Sequence, residues 1–256
     1  MLIAHDAPVA VAISDAIKKG DLQTIGTLLQ ENPGLASARL VDPKGSKTLL
    51  HVATDWPGHF PNGPAVVKAL IRAGADVNAK GTSGRQEPGT PLSTSGHKES
   101  ETPLHWAASS DDVAVLDVLL DHGADIEADG GVIGNGTPLF DATVFGQWHA
   151  ARRLVERGAH PTFFDAAALG LQQHVERYVA QADGAGPLTE AFWAACHGGQ
   201  RATADYLLGR GADINWIADW DGKTPLDAAI GDGFDALVPW LRSHGAKTSD
   251  ELRAQA

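Results

Sequence analysis

One stretch constrains the chain more than any other: Glu101 to Asp125, ETPLHWAASSDDVAVLDVLLDHGAD. Thr102 suits a helix N-cap, and Pro103 suits the first helical position, where a missing N–H deprives nothing of a partner. Leu104, Ala107 and Ala108 fall at helical spacing and predict a short helix with one buried face. Val115, Leu116, Leu119 and Leu120 form a second apolar stripe, which Gly123 stops in the left-handed conformation that glycine tolerates best. Such a helix–turn–helix unit is too small to bury its apolar face alone, so it needs copies of itself as neighbours.

The copies are present. Lys47-Thr48-Leu49-Leu50-His51-Val52-Ala53, Gly136-Thr137-Pro138-Leu139 and Lys223-Thr224-Pro225-Leu226 restate the opening. A closing Gly-Ala recurs at Gly74, Gly123, Gly158, Gly211 and Gly245. Thr102 to Thr137 is 35 residues and Gly211 to Gly245 is 34, near the period of about 33 known for one repeat class. With TPLHWAA, GADVNA and GADIEA close to its consensus, the chain resembles the ankyrin repeat family over nearly its whole length. The resemblance implies an all-α solenoid of stacked helix–turn–helix units with short β-hairpin fingers. It also implies a structural hydrogen-bonding role for His51 and His105 in the TPLH slot. It leaves function open, because the family is a scaffold with many unrelated partners.

This reading gives a single repeat domain over residues 1–247. An N-terminal capping helix pair occupies 8–46, with repeats at about 47–80, 101–135, 136–160, 161–188 and 189–222 and a capping repeat at 223–247. Residues 81–100, rich in Gly, Ser, Thr and Pro, are an expected enlarged finger loop, and 248–256 a polar tail. The turn at 56–63, WPGHFPNG, is longer than its counterparts, aromatic and stiffened by proline.

Charge and cysteine content narrow the partners. Lys and Arg number 20 against 32 Asp and Glu, a net charge of −12, which disfavours a phosphate backbone as partner. Arg152, Arg153 and Arg157 are interleaved with acid and read as a solvated face. Cys196 is the single cysteine, in a small-residue slot of its repeat, so it reads as a buried structural thiol. No zinc, EF-hand or phosphate-loop spacing occurs, and no metal or cofactor is expected. No apolar run is long enough to span a bilayer and no signal peptide opens the chain, so the expectation is a cytoplasmic monomer without nucleic-acid or membrane partners.

Candidate site residues follow from the repeat register. Counted from the opening Thr slot, positions 5, 8 and 9 share a face of the first helix that turns toward the concave groove in the family fold. Position 5 reads Val52, Trp106, Asp141, Asp165, Ala194 and Ala228. Position 8 supplies Asp55, Ser109 and His197, and position 9 supplies Trp56, Ser110 and Phe145. Two consecutive aspartates stand where the family carries an apolar residue, and a carboxylate in an apolar slot must be solvated, paired or shifted in pKa. Only 3 residues separate Gly158 from Pro161, the opening of the next repeat, so the middle of the array lacks normal fingers and a notch is expected there, with the 81–100 loop as a lid.

Two functions compete. The first is a non-catalytic scaffold that binds a basic or neutral partner protein in the groove, through Asp55, Trp56, His59, Trp106, Ser109, Ser110, Phe145, Trp148, Trp216 and Trp220. The second is a small-molecule pocket or active site in which Asp141, Asp165 and His197 carry acid–base chemistry between Trp walls. Structural alternatives stand beside both: the aspartates as helix N-terminal acceptors, Trp106 as packing, His197 as a surface residue, and Trp56, His59 and Phe60 packing within their own turn.

Overall fold

The computed structural model describes residues 1–83, 98–181 and 186–255. The centre of the expected finger loop, 84–97, and with it the expected lid, lies outside the described residues. The chain forms two compact units, Met1–Ala159 and His160–Ala256.

The first unit begins with β1 (Leu2–Ala4), α1 (Pro8–Lys19) and α2 (Leu22–Glu31), followed by β2 (Arg39–Asp42) and β3 (Gly45–Thr48). The helix pairs α3 (Leu49–Ala53) with α4 (Gly63–Arg72), α5 (Pro103–Ser109) with α6 (Val113–Asp121), and α7 (Pro138–Val144) with α8 (Trp148–Glu156) complete it. Between α4 and α5 lie β4 (Thr82–Ser83) and β5 (Lys98–Glu99). The five strands form one sheet in chain order, with β1 parallel to β2 and the other pairs antiparallel. First helices stack on first helices (α1, α3, α5, α7) and second on second (α2, α4, α6, α8). Ile13, Ile17, Leu49, Leu50, Leu70, Leu104, Leu116, Leu119 and Leu139 are fully buried in this stack.

The TPLH slot holds the stack in register. Thr102 caps α5, and its N–H and hydroxyl lie 3.1 and 2.9 Å from His105 Nδ1. The Nε2 of that ring lies 3.2 Å from the carbonyl of Gly136, beside the next helix start. A carbonyl can only accept, so Nε2 carries the proton and Nδ1 accepts. His51 repeats the arrangement with Thr48 and the Glu101 carbonyl, at 3.0 Å from the latter. Burial holds both imidazoles neutral, with pKa values lowered to about 4. Acid should therefore loosen the fold. As pH falls from about 6.5 to about 4, the unfolded chain takes up protons that these rings refuse, at a loss of up to ~3 kcal/mol per ring. Urea unfolding at pH 7 and pH 5 in an Asp141→Asn background, free of an opposing carboxyl, should show this loss.

The long turn after α3 is bound on both sides. His59 N–H donates to Asp112 at 2.8 Å, Asn62 donates to the Gly20 carbonyl at 3.0 Å, and the Trp56–Pro57 peptide is cis. It thus ties the α1–α2 turn to the α5–α6 turn.

The second unit contains α9 (Phe163–Leu169), α10 (Gln172–Gln181), α11 (Gly186–His197), α12 (Arg201–Leu208), α13 (Pro225–Gly231), α14 (Val238–Ser243) and α15 (Ser249–Arg253). Helices α9, α11 and α13 stack, each paired with the helix that follows. The first turn of α11 starts at Gly186, upstream of the repeat boundary expected at 189, with Pro187 suited to its N-terminal turn and no Thr-Pro start at 190. Phe192, Ala195 and Cys196 are fully buried in it, and burial pushes the Cys196 thiol pKa well up. The C-terminal segment is a short capped helix: Thr248 and Glu251 form its capping box, and Ser249 N–H donates to Asp227 at 2.8 Å.

Candidate functional site

In the first unit a pocket of about 240 Å³ is lined by Thr54, Asp55, Trp56, Glu101, Trp106, Ser109, Ser110, Val132 and Phe145. The end of α3 and its turn contribute the first three, α5 and its flanks the next four, the loop before α7 contributes Val132, and the cap of α7 contributes Phe145. Each lies where its repeat ends the first helix, so stacking the repeats at constant register aligns them. Trp56 is 80 % exposed, Val132 62 % and Phe145 44 %, an unusual concentration of apolar surface in contact with water. Trp106 is half-buried. It meets His51 edge-on at 5.0 Å, and its indole N–H donates to Glu101 Oε2 at 3.1 Å. Burial raises the Glu101 pKa, an effect the indole N–H opposes. Lys47 Nζ lies 3.2 Å from Asp55 Oδ2 and 5.7 Å from the Trp106 ring centroid. The Ser109 hydroxyl oxygen is buried and has no hydrogen-bond partner among the described residues.

Asp141, on α7, is fully buried, and neither of its carboxylate oxygens has a partner among the described residues. Burial first, and the nearby Glu101 charge second, push its pKa up to about 8. Its carboxyl packs against the loop that bears Val132: a Cβ on Gly131 would lie 2.6 Å from Oδ1. It is thus enclosed rather than presented on an open groove face.

Asp165 differs from Asp141 in kind, which corrects the view of two equivalent aspartates. Thr162 caps α9, one residue nearer its left-handed turn residue Gly170 than Thr102 and Thr137 stand to Asp111 and Gly146. The shorter helix places Asp165 at the third helical position, the slot of His51 and His105. There it accepts from Thr162 N–H at 2.8 Å and from the Thr162 hydroxyl at 2.7 Å. Asp227 does the same for Thr224. Asp165 is therefore a capping residue.

His197 is not a surface residue. It is 6 % exposed, lies 2.7 Å from Asp232 Oδ2 through Nδ1, and stacks on Trp193 with ring centroids 5.3 Å apart. Trp193 also meets Trp220 at 5.3 Å, and Trp220 meets Trp216 at 5.2 Å. Trp216 and Trp220 thus belong to an aromatic cluster in the second unit, with Trp220 still 51 % exposed. Asp141 is in the first unit and Asp165 and His197 are in the second, where each is engaged locally.

Of the remaining candidates, His59 is exposed at a separate depression with Asp111, Asp112 and His149. Trp148 is half-buried at the start of α8, next to Gly146. Neither lines the first pocket. Sequence reasoning missed Glu101, Val132 and Trp193. Glu101 sits one place before the opening Thr, outside the register used to choose groove positions, although its spacing to Trp106 would bring it under that side chain. Val132 comes from an aperiodic loop that carries no such signal. Among the described residues no cluster of His, Cys, Asp and Glu is arranged to hold a metal, and no helix is long and apolar enough to cross a membrane.

Comparison with known proteins agrees with this architecture. The family described as ankyrin repeats (3 copies) matches residues 88–165, and the single ankyrin repeat matches residues 46–82. Palmitoyltransferase AKR1 of Kluyveromyces lactis is 33 % identical over 118 residues, which is 46 % of this chain and 13 % of that protein. The chain therefore spans a small fraction of that relative's length. Helix pairs capped by threonine, bridged through the TPLH histidine and stacked first helix on first helix are what those repeat matches describe, and the chain belongs to the ankyrin repeat family.

Proposed function

We propose that the chain is a non-catalytic recognition module that binds a partner protein through the pocket of its first unit. Ankyrin repeats generally mediate protein–protein interaction. The observation that carries the reading is the exposed indole of Trp56 on a pocket it shares with Trp106 and Phe145. Aromatic side chains dominate the energetics of interfaces, and an exposed one beside a cavity is a ready anchor. The net charge of −12 favours a basic or neutral partner. Trp220, Trp216 and Ile217 give the second unit an apolar face of its own as a further contact area.

The test is selection of displayed peptides on the immobilised full chain. Trp56→Ala should weaken the selected peptides by about 30-fold, the effect of losing an interface hot spot. The melting temperature should stay unchanged, because the side chain is exposed. Equal binding to wild type and Trp56→Ala would remove the pocket from the interface.

A small-ligand or acid–base role keeps one observation in its favour. Asp141 is a buried carboxyl that holds its proton near neutral pH beside a second acid, Glu101, an arrangement suited to proton donation. A metabolite panel followed by thermal unfolding, with Asp141→Asn alongside, discriminates: a stabilising ligand whose effect vanishes in the variant favours this reading.

A further inference from the structure

We infer that the pocket of the first unit is a cation subsite: the group it takes is a lysine or arginine side chain of the partner, set against Trp56 and Trp106 with its charge on Glu101. This rests on the reading of that pocket as the partner site.

Three observations carry it. Glu101 is a pocket wall whose only printed polar contact is the Trp106 indole N–H, and no cation pairs with it among the described residues. A half-buried carboxylate with a single neutral donor leaves most of its hydrogen-bonding capacity unused, and a cationic N–H group supplies what is missing. The raised pKa of Glu101 agrees with that lack of a counter-charge. Second, the protein already shows what this wall accepts. Lys47 places its ammonium both on Asp55 at 3.2 Å and over the Trp106 ring at 5.7 Å, the combination of carboxylate and aromatic face that attracts a cation. Lys18 reaches Asp55 only at 4.0 Å, and neither lysine is paired with Glu101. Third, about 240 Å³ is smaller than the ~300 Å³ lower bound for small-molecule sites but suited to one long side chain. The buried Ser109 oxygen on the same wall has no partner and can accept from a second ligand N–H.

The probes are N-acetyl-arginine amide, N-acetyl-lysine amide and the uncharged N-acetyl-norleucine amide, titrated into the full chain at low salt. The indole N–H signals of the seven tryptophans are followed by NMR. The cationic amides should move the Trp56 and Trp106 signals, while norleucine amide at the same concentration should not. Glu101→Gln, which keeps an oxygen for the Trp106 indole, should weaken the cationic amides by about tenfold. Lys47→Met removes the internal competitor and should tighten them a few-fold. Unmoved Trp193 and Trp240 signals in the free variants check that the fold is intact.

The inference is overturned by norleucine amide binding as well as the cations, by cations that leave the two indoles unmoved, or by Glu101→Gln binding unchanged. In each case peptides that still depend on Trp56 would leave partner recognition standing without a cation subsite. Loss of Trp56-dependent peptide binding with cation binding retained would instead confine the pocket to small cations and remove the partner side chain from the proposal.

Discussion

Asp141→Asn should make the protein more stable at pH 8, by about 2 kcal/mol in urea unfolding, with the gain shrinking as pH is lowered to 5. The folded pKa of about 8 lies above the usual 3.8 of an aspartate, so the folded chain holds the proton after the unfolded chain has lost it. Stability therefore falls as pH rises from about 4 to about 8 and is level beyond that window. A shift of this size corresponds to at most roughly 5 kcal/mol at pH 8. Relaxation of the Gly131 loop lowers the figure, and the asparagine amide brings polar groups that also need partners, so a smaller gain is expected. His51 and His105 act in the opposite sense, losing stability as pH falls. The wild type should accordingly show a shallow maximum between the two trends, and Asp141→Asn should keep only the acid-side loss. A variant less stable than wild type at pH 8 would mean that Asp141 is ionised and satisfied in the fold.

Gly198→Ala should cost at least ~3 kcal/mol and unfold the second unit first, because it is an overpacking mutation with no soft neighbour. A Cβ at Gly198 would lie 1.8 Å from the Ala168 carbonyl oxygen and 2.7 Å from its carbon. Both atoms are backbone, so relief requires α9 and α11 to move apart, and that opens the packing of the fully buried Ala166, Ala167, Ala194 and Ala195. Gly26→Ala is the control. Gly26 is inside α2 with nothing within 4 Å of an added Cβ, and alanine there should stabilise by about 0.5–1 kcal/mol. Circular dichroism during urea unfolding reads both. A loss under 1 kcal/mol at Gly198 would show that the two helices are not in backbone contact.

Much of the fold could be read before any coordinates. The Thr-Pro starts at Thr102, Thr137 and Thr224 coincide with N-caps, and Gly123, Gly158, Gly211 and Gly245 have the positive φ that a helix stop in this repeat requires. These are local properties: a cap depends on a hydroxyl three residues from an N–H, and a stop depends on a residue without a Cβ. Side-chain roles were less legible. Asp141 and Asp165 look alike in the sequence, each following a phenylalanine, yet one is an unpartnered buried acid and the other a cap. The difference comes from a single residue in the length of α9. His197 was equally opaque, because Asp232, which holds it, is 35 residues away.

The amino-acid sequence by itself determined the repeat, the helix starts and stops, the buried apolar stripes and the acidic balance, since each is set by chemistry within a few residues of the chain. Tertiary structure alone decided which side chains share a wall. Glu101, Trp106, Val132 and Phe145 come from different repeats and an aperiodic loop, and they line one pocket only because stacked helices carry them there. The same stacking decided which polar groups are satisfied: it brings Asp232 to His197, a carbonyl to His105, and nothing among the described residues to Asp141. Burial and long-range pairing depend on neighbours that the local sequence does not specify, and for that reason the pKa values and the candidate binding wall emerged only with the fold.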